Sequence, residues 1–235
     1  MLNLNKYRLQ KLILGSFLIS LAIVLSQINR FFPIIFNKSP YTENSFFCYW
    51  YFPFLIIGFL FNLRYNLFFL FIYSFLDFFI FSGEKNFIKI YFLSSNNTYL
   101  STLNQKKQIF IFLNVFFWGT LIPVLSYSFT YFFLFYQKIN FTKFFLFSFM
   151  IIMIQSFSRF LCGFFCYWGP NTKYFFLIYN NIISLNKTNN SLLFYYFLMF
   201  FWNFIPVLTS NLILLILFFI FRSFILKNDF LIKFK

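Results

Sequence analysis

The sequence predicts an all-α integral membrane protein, built as a six-transmembrane-helix bundle. Three observations carry that expectation. The 235 residues are 61% hydrophobic and only 10% charged, whereas a soluble domain carries about a quarter charged residues. Apolar runs of spanning length alternate with polar connections. The 19 Lys+Arg outnumber 4 Asp+Glu, giving a net charge of +15. These basic residues are scattered between the apolar runs, which suits juxtamembrane anchoring and argues against nucleic acid as a partner. The mean hydropathy is +0.78 and 49 residues are Phe, an excess that fits an AT-rich genome. One membrane domain in a lipid bilayer accounts for residues 1–235.

The first span is expected over 12–28, after a polar, basic start with Lys6, Arg8 and Lys11. It reads as a span rather than a signal peptide because the run is long, no small-x-small site follows, and more spans come after it. Gly15, Ser16, Ser20 and Ala22 place small residues on it. Ser16 and Ser20 form a small-xxx-small pair that would let another helix approach closely. A connection over 29–46 leads to a second span over 47–61, where Pro53 is expected to break the helix. The basic turn Asn62-Leu-Arg64 opens the third span, 65–81, which contains Asp77. After a polar loop over 82–107, the fourth span covers 108–136. It carries Asn114 and Trp118 one turn apart, and a kink is expected at Pro123.

The fifth span, 143–168, holds the only arginine well inside an apolar run. An arginine there is costly by a few kcal/mol, so it faces protein or a water-filled cavity rather than lipid. Gln155, Arg159, Cys162, Gly163 and Cys166 recur at spacings of three and four, which places them on one stripe. Gly169-Pro170-Asn171 ends this span, an Asn-rich loop follows to 190, and the sixth span covers 191–221 with Trp202, Asn203 and Pro206. Six spans put both termini on one side. Two very short basic turns on that side assign it to the cytoplasm.

With no His and three Cys, histidine-based zinc sites, haem ligation by His and His triads are excluded. Cys162 and Cys166 read as small buried thiols. Paired carboxylates and Gly-rich phosphate loops are absent from the sequence, so neither an enzyme nor a bound cofactor is expected. Asp77, Asn114, Trp118, Arg159, Tyr167, Trp168, Tyr196 and Asn203 all fall toward the outer ends of their spans, while the inner halves show few such groups. That shared depth suggests an outward-facing small-molecule pocket with aromatic walls, covered by the loops over 29–46, 82–107 and 169–190. Each group has a plainer role as well. Asp77 and Arg159 could pair and hold helices together. Asn114 and Asn203 could bond between helices. Trp168 could anchor at the interface.

Three stretches resemble the substrate-binding S-components of energy-coupling factor (ECF) vitamin importers. Ser16-Phe-Leu-Ile-Ser20 followed by Arg30-Phe-Phe-Pro33 looks like the family's first helix, where small residues meet the coupling subunit. Pro53-Phe-Leu-Ile-Ile-Gly58 with Tyr65 through Asp77 looks like its second and third helices. Phe160-Leu-Cys-Gly163-Phe-Phe-Cys-Tyr167-Trp168-Gly169, with Trp202-Asn203-Phe-Ile-Pro206, looks most like the thiamine-binding members. Those members usually carry a histidine at the place of Phe160 and an acid near Asn114; this chain has neither. The resemblance implies a plasma-membrane subunit that captures a vitamin outside. A transmembrane coupling subunit and two ABC ATPases would then drive its release inside. Trp168 would stack on the ligand, Asn203 would hydrogen-bond it, and Arg159 or Asp77 would set its charge preference. Ser156-Phe-Ser158-Arg159 and Asn203 through Asn211 also faintly resemble the proton-channel subunit a of rotary ATP synthases, although spans five and six lack the acidic or histidine relays such a channel needs. An accessory subunit of an organelle respiratory complex is the remaining alternative.

Overall fold

The computed structural model describes residues 2–31, 48–81, 105–132, 141–165 and 191–226. All regular structure among these residues is helical. Helix α1 runs Leu2–Phe31. A 3-10 turn, Tyr49–Tyr51, leads into α2, Phe52–Leu60. Helix α3, Leu63–Phe75, widens into a π-helical stretch at Leu76–Phe81. Helix α4, Gln105–Asn114, continues as a π-helical stretch, Val115–Leu121. A short α5, Ile122–Leu125, then tightens to 3-10 geometry over Ser126–Tyr131. Helices α6, Phe141–Gly163, and α7, Ser191–Leu226, complete the described set.

Among the described residues, five segments are long and apolar enough to cross a bilayer: Tyr7–Ile28, Leu63–Ile80, Ile109–Tyr131, Thr142–Gly163 and Leu193–Phe221. The protein is therefore an all-α membrane protein of at least this span capacity. Tyr49–Leu60 is apolar but shorter. At about 1.5 Å per residue it reaches about 18 Å, well short of a hydrocarbon core of about 30 Å. Large apolar side chains such as Ile13, Phe145, Leu193 and Ile220 are exposed, as a lipid-facing surface requires.

Several expected boundaries shift for local reasons. Helix α1 begins well before residue 12, because nothing in Leu2–Lys11 breaks a helix and its basic side chains can be solvated. Pro53 does not break α2. It sits in the first turn, where its missing N–H costs no intrahelical bond. Around Pro123, where a kink was expected, the helix changes type from π through α to 3-10. Helix α7 runs through Pro206. The expected break at Gly169-Pro170-Asn171 and the long connections lie outside the described residues.

The chain divides into two compact units. The first comprises Met1–Tyr73, Val124–Met153 and Ile205–Lys235; the second comprises Ser74–Pro123 and Ile154–Phe204. In the first unit α2 is the buried element, with Phe54, Leu55, Ile57 and Phe61 fully enclosed. Phe54 lies edge-on to Tyr73 at 4.4 Å between centroids, and Phe59 lies edge-on to Phe218 at 5.4 Å. Such pairs add about 0.5–1.5 kcal/mol each beyond area burial.

Close approach in this unit depends on Gly58. A Cβ there would overlap the Thr130 hydroxyl and come within 2.8 Å of the Tyr127 carbonyl oxygen. The Tyr127 carbonyl accepts the Thr130 hydroxyl at 2.6 Å, so the 3-10 turn has little freedom to retreat. Replacing Gly58 by Ala is expected to destabilise the protein by about 1–3 kcal/mol through overpacking. Thermal unfolding in detergent, followed by circular dichroism, should show the loss, with exposed Ser16→Ala as an unaffected control. An unchanged midpoint for Gly58→Ala would contradict this packing.

Candidate functional site

Asp77, Asn114, Trp118, Arg159, Tyr196 and Asn203 all belong to the second unit; Tyr167 and Trp168 lie outside the described residues. The elements that carry them are neighbours in a chain of contacts. Phe78 and Phe79, beside Asp77, both pack on Phe112 and Phe116, with Phe78 at 5.0 and 5.1 Å and Phe79 at 5.7 and 5.2 Å. Consecutive residues on an ordinary α-helix diverge by about 100°, and the wider π turn lets both rings face the same partners. Phe110 meets Phe165, and the Ser158 hydroxyl meets the Trp118 carbonyl. Phe160 then contacts Phe200 at 5.9 Å, and Phe164 contacts Tyr196 at 5.7 Å. Tyr195 is fully buried among Phe160, Phe164, Tyr196 and Met199.

The contact between Ser158 and Trp118 follows from sequence. Ile122 donates its N–H five residues back, to Phe117. In the same register the next donor, to Trp118, would be residue 123. That residue is Pro and has no N–H. The orphaned Trp118 carbonyl is taken by the Ser158 hydroxyl at 2.5 Å. Three residues away on α6, Gln155 donates its side-chain amide to the Pro123 carbonyl at 3.1 Å. Gly119 allows the close approach, because a Cβ there would lie 3.1 Å from the Cys162 sulfur. Gln155, Ser156, Ser158, Cys162 and Gly163 are buried and Arg159 is half-buried, so these members of the expected stripe face protein; Cys166 lies outside the described residues.

The candidate asparagines each make a bond within their own helix rather than between helices. Asn114 donates its amide to Phe110 O at 2.8 Å, and Asn203 donates to Met199 O at 2.9 Å. Both bonds run to the preceding turn of the same helix. Asn114 and Asn203 are buried, while Asp77, Trp118, Arg159 and Tyr196 are half-buried. Ser16 and Ser20 are exposed on α1; the small residues that face inward are Gly15, Ala22 and Ser26.

The first unit carries buried polar groups that the sequence reading did not single out. It buries Asn66, Thr130, Ser210 and Asn211. Tyr127 OH donates to Asn211 Oδ1 at 2.9 Å, and Asn211 donates to Val207 O at 2.8 Å. Ser210 Oγ accepts the Cys48 N–H at 2.9 Å. The signal for these positions lies in α7, where Asn203, Val207, Ser210, Asn211 and Leu214 recur at helical spacing on a buried stripe. Two open grooves, of about 660 and 460 Å³, are lined by Arg8, Lys11 and Arg64 in one case and by Leu25, Leu214 and Phe221 in the other. Neither is lined by any candidate residue. No group of three or more His, Cys, Asp or Glu able to hold a metal occurs among the described residues.

The chain matches no protein-family model, no curated protein and no solved structure. Its functional reading therefore rests on the residues themselves.

The Ser158–Trp118 bond gives a direct test of that geometry. Ser158→Ala should cost about 1 kcal/mol, the scale of a side-chain hydrogen bond inside a membrane. The cost should largely vanish in a Pro123→Ala background, which restores an N–H to the same carbonyl. A double-mutant cycle of unfolding free energies measures this coupling. Additive effects would show that Pro123 does not create the need for Ser158.

Proposed function

We propose that this chain is the membrane-embedded substrate-capture subunit of an ATPase-driven importer of the ECF type, taking a vitamin or related aromatic micronutrient. In this reading it is a six-span bundle in the plasma membrane with both termini cytoplasmic, and Tyr49–Leu60 belongs to the second span. The supporting observation is where the candidate groups fall. Asp77, Asn114, Trp118, Arg159, Tyr196 and Asn203 share one unit with both π-helical stretches and with the aromatic cluster around Tyr195. π-Helical turns are uncommon and occur often at functional sites.

The chemistry follows from those side chains. A planar ligand ring would take its place among Phe160, Phe164, Tyr195 and Tyr196, where offset and edge-on aromatic contacts are available. Arg159, next in sequence to Phe160, or Asp77 would set the charge preference. With Phe at position 160 rather than histidine, recognition there would be by stacking rather than by a ring nitrogen. Ser16 and Ser20, exposed on α1, would meet the transmembrane coupling subunit, which two ABC ATPases would drive.

Calorimetry on purified protein should detect binding of one member of a panel containing thiamine, riboflavin, folate and biotin. Arg159→Gln should weaken it by about tenfold, equivalent to about 1.4 kcal/mol. Replacing Ser16 and Ser20 together by Leu should leave capture intact and abolish uptake in cells. A folded protein that binds none of the panel, or that co-purifies with a rotor ring or a respiratory complex, would overturn this proposal.

A further inference from the structure

The open groove of about 660 Å³ in the first unit lies between α1 and the start of α3. Its polar wall carries three cations, Arg8, Lys11 and Arg64. Asp77 is the only acidic residue among the described residues, and it belongs to the second unit. No described carboxylate in the first unit is therefore present to neutralise this cluster. Asn62 accepts the Tyr65 N–H at 3.1 Å, which caps α3 and fixes where Arg64 and Tyr65 stand. The Lys11 ammonium lies 5.8 Å from the centre of the Tyr65 ring, a cation–π contact that holds it at the groove.

The groove also has an order along the helices. The spanning segments begin at Tyr7 on α1 and at Leu63 on α3, so the groove lies where both helices enter the bilayer. One turn beyond Arg8 stands Leu12, and one turn beyond Arg64 stands Phe68. Both line the groove and are exposed. Tyr7 and Tyr65 stand at the level of the cations, where amphipathic rings favour the headgroup region. A free inorganic anion would use only the charged wall. A phospholipid would use both, with its phosphate on the cations and an acyl chain along Leu12 and Phe68.

The geometry points to a specific site for an anionic phospholipid at this groove, with the headgroup phosphate held by Arg8, Lys11 and Arg64. Basic pockets between spanning helices bind anionic headgroups, and each basic residue near the membrane surface contributes roughly fivefold in affinity. This inference is independent of the importer proposal, since it involves none of the capture residues.

The test uses the full chain in nanodiscs of phosphatidylcholine with and without phosphatidylglycerol, with retained lipid read by native mass spectrometry. Wild-type protein should keep phosphatidylglycerol in preference to phosphatidylcholine. Joint replacement of Arg8, Lys11 and Arg64 by Gln should cut that preference on the order of a hundredfold, and Arg8→Lys with Arg64→Lys should keep most of it. Phe68→Asn should lower retention of the lipid, and soluble glycerol phosphate should compete poorly. Equal retention of the two lipids, full retention by the triple variant, or displacement by glycerol phosphate as effective as by lipid would overturn the proposal. If the triple variant does not fold, a salt titration of the wild type decides: preference that falls with salt supports the site, and preference indifferent to salt overturns it.

Discussion

A hydrocarbon core offers no water to a backbone carbonyl, and that constraint organises this chain more than any single polar pair does. Each carbonyl that loses its helical donor must find another within the protein. The segment from Gln105 to Tyr131 is where the demand is highest, because it passes through α, π, α and 3-10 geometry in turn. Pro123 removes one donor and the changes of pitch redirect others. The replacements come from α6, through Ser158 and Gln155. Ser158 thus answers a donor that a proline on another helix removes, and Gln155 bonds that proline's own carbonyl.

The same constraint alters what the polar residues can contribute to a site. An asparagine amide has two N–H donors and one carbonyl acceptor. In Asn114 and Asn203 the amide nitrogen already donates to the preceding turn. That bond locks the side chain along its helix and fixes where the carbonyl oxygen stands. An amide held in this way presents its second N–H and its carbonyl oxygen in fixed directions. Fixed geometry lowers the ordering cost of binding. Aromatic side chains supply the rest of the local surface, with Tyr195 fully buried among Phe160, Phe164, Tyr196 and Met199.

Much of the fold was legible because membrane spans announce themselves by length and composition. Helices α1, α3, α6 and α7 lie within a few residues of the expected spans at most of their ends. The stripe of Gln155, Arg159, Cys162 and Gly163 was readable from spacing alone. The π-helical stretches at Leu76–Phe81 and Val115–Leu121 were not. An extra residue in a turn leaves no signature in hydropathy and arises from how Phe78, Phe79, Phe112 and Phe116 pack. The buried polar groups of the first unit were missed for a related reason. Asn211 and Ser210 sit in a run of Leu, Ile and Phe so apolar that single polar residues look like noise, until burial shows them on one stripe. For the candidate site, the sequence suggested a shared depth for these groups but could not tell which hydrogen bonds would already be used.

Helix α1 shows why small residues must be read by face rather than by count. Gly15 and Ala22 are seven residues apart and point inward, where a Cβ at Gly15 would overlap the Phe69 ring. Ser16 and Ser20 are four apart and point outward, between the exposed Ile13, Phe17, Leu21 and Val24. A lipid-facing serine is cheap on a helix, because its hydroxyl can bond back to its own backbone, so its presence alone argues nothing. Two such residues one turn apart among large side chains leave a shallow notch, and lipid tails gain little from a notch that a partner helix can fill at close range. The inward pair builds the bundle, whereas the outward pair adds nothing to the packing of this chain.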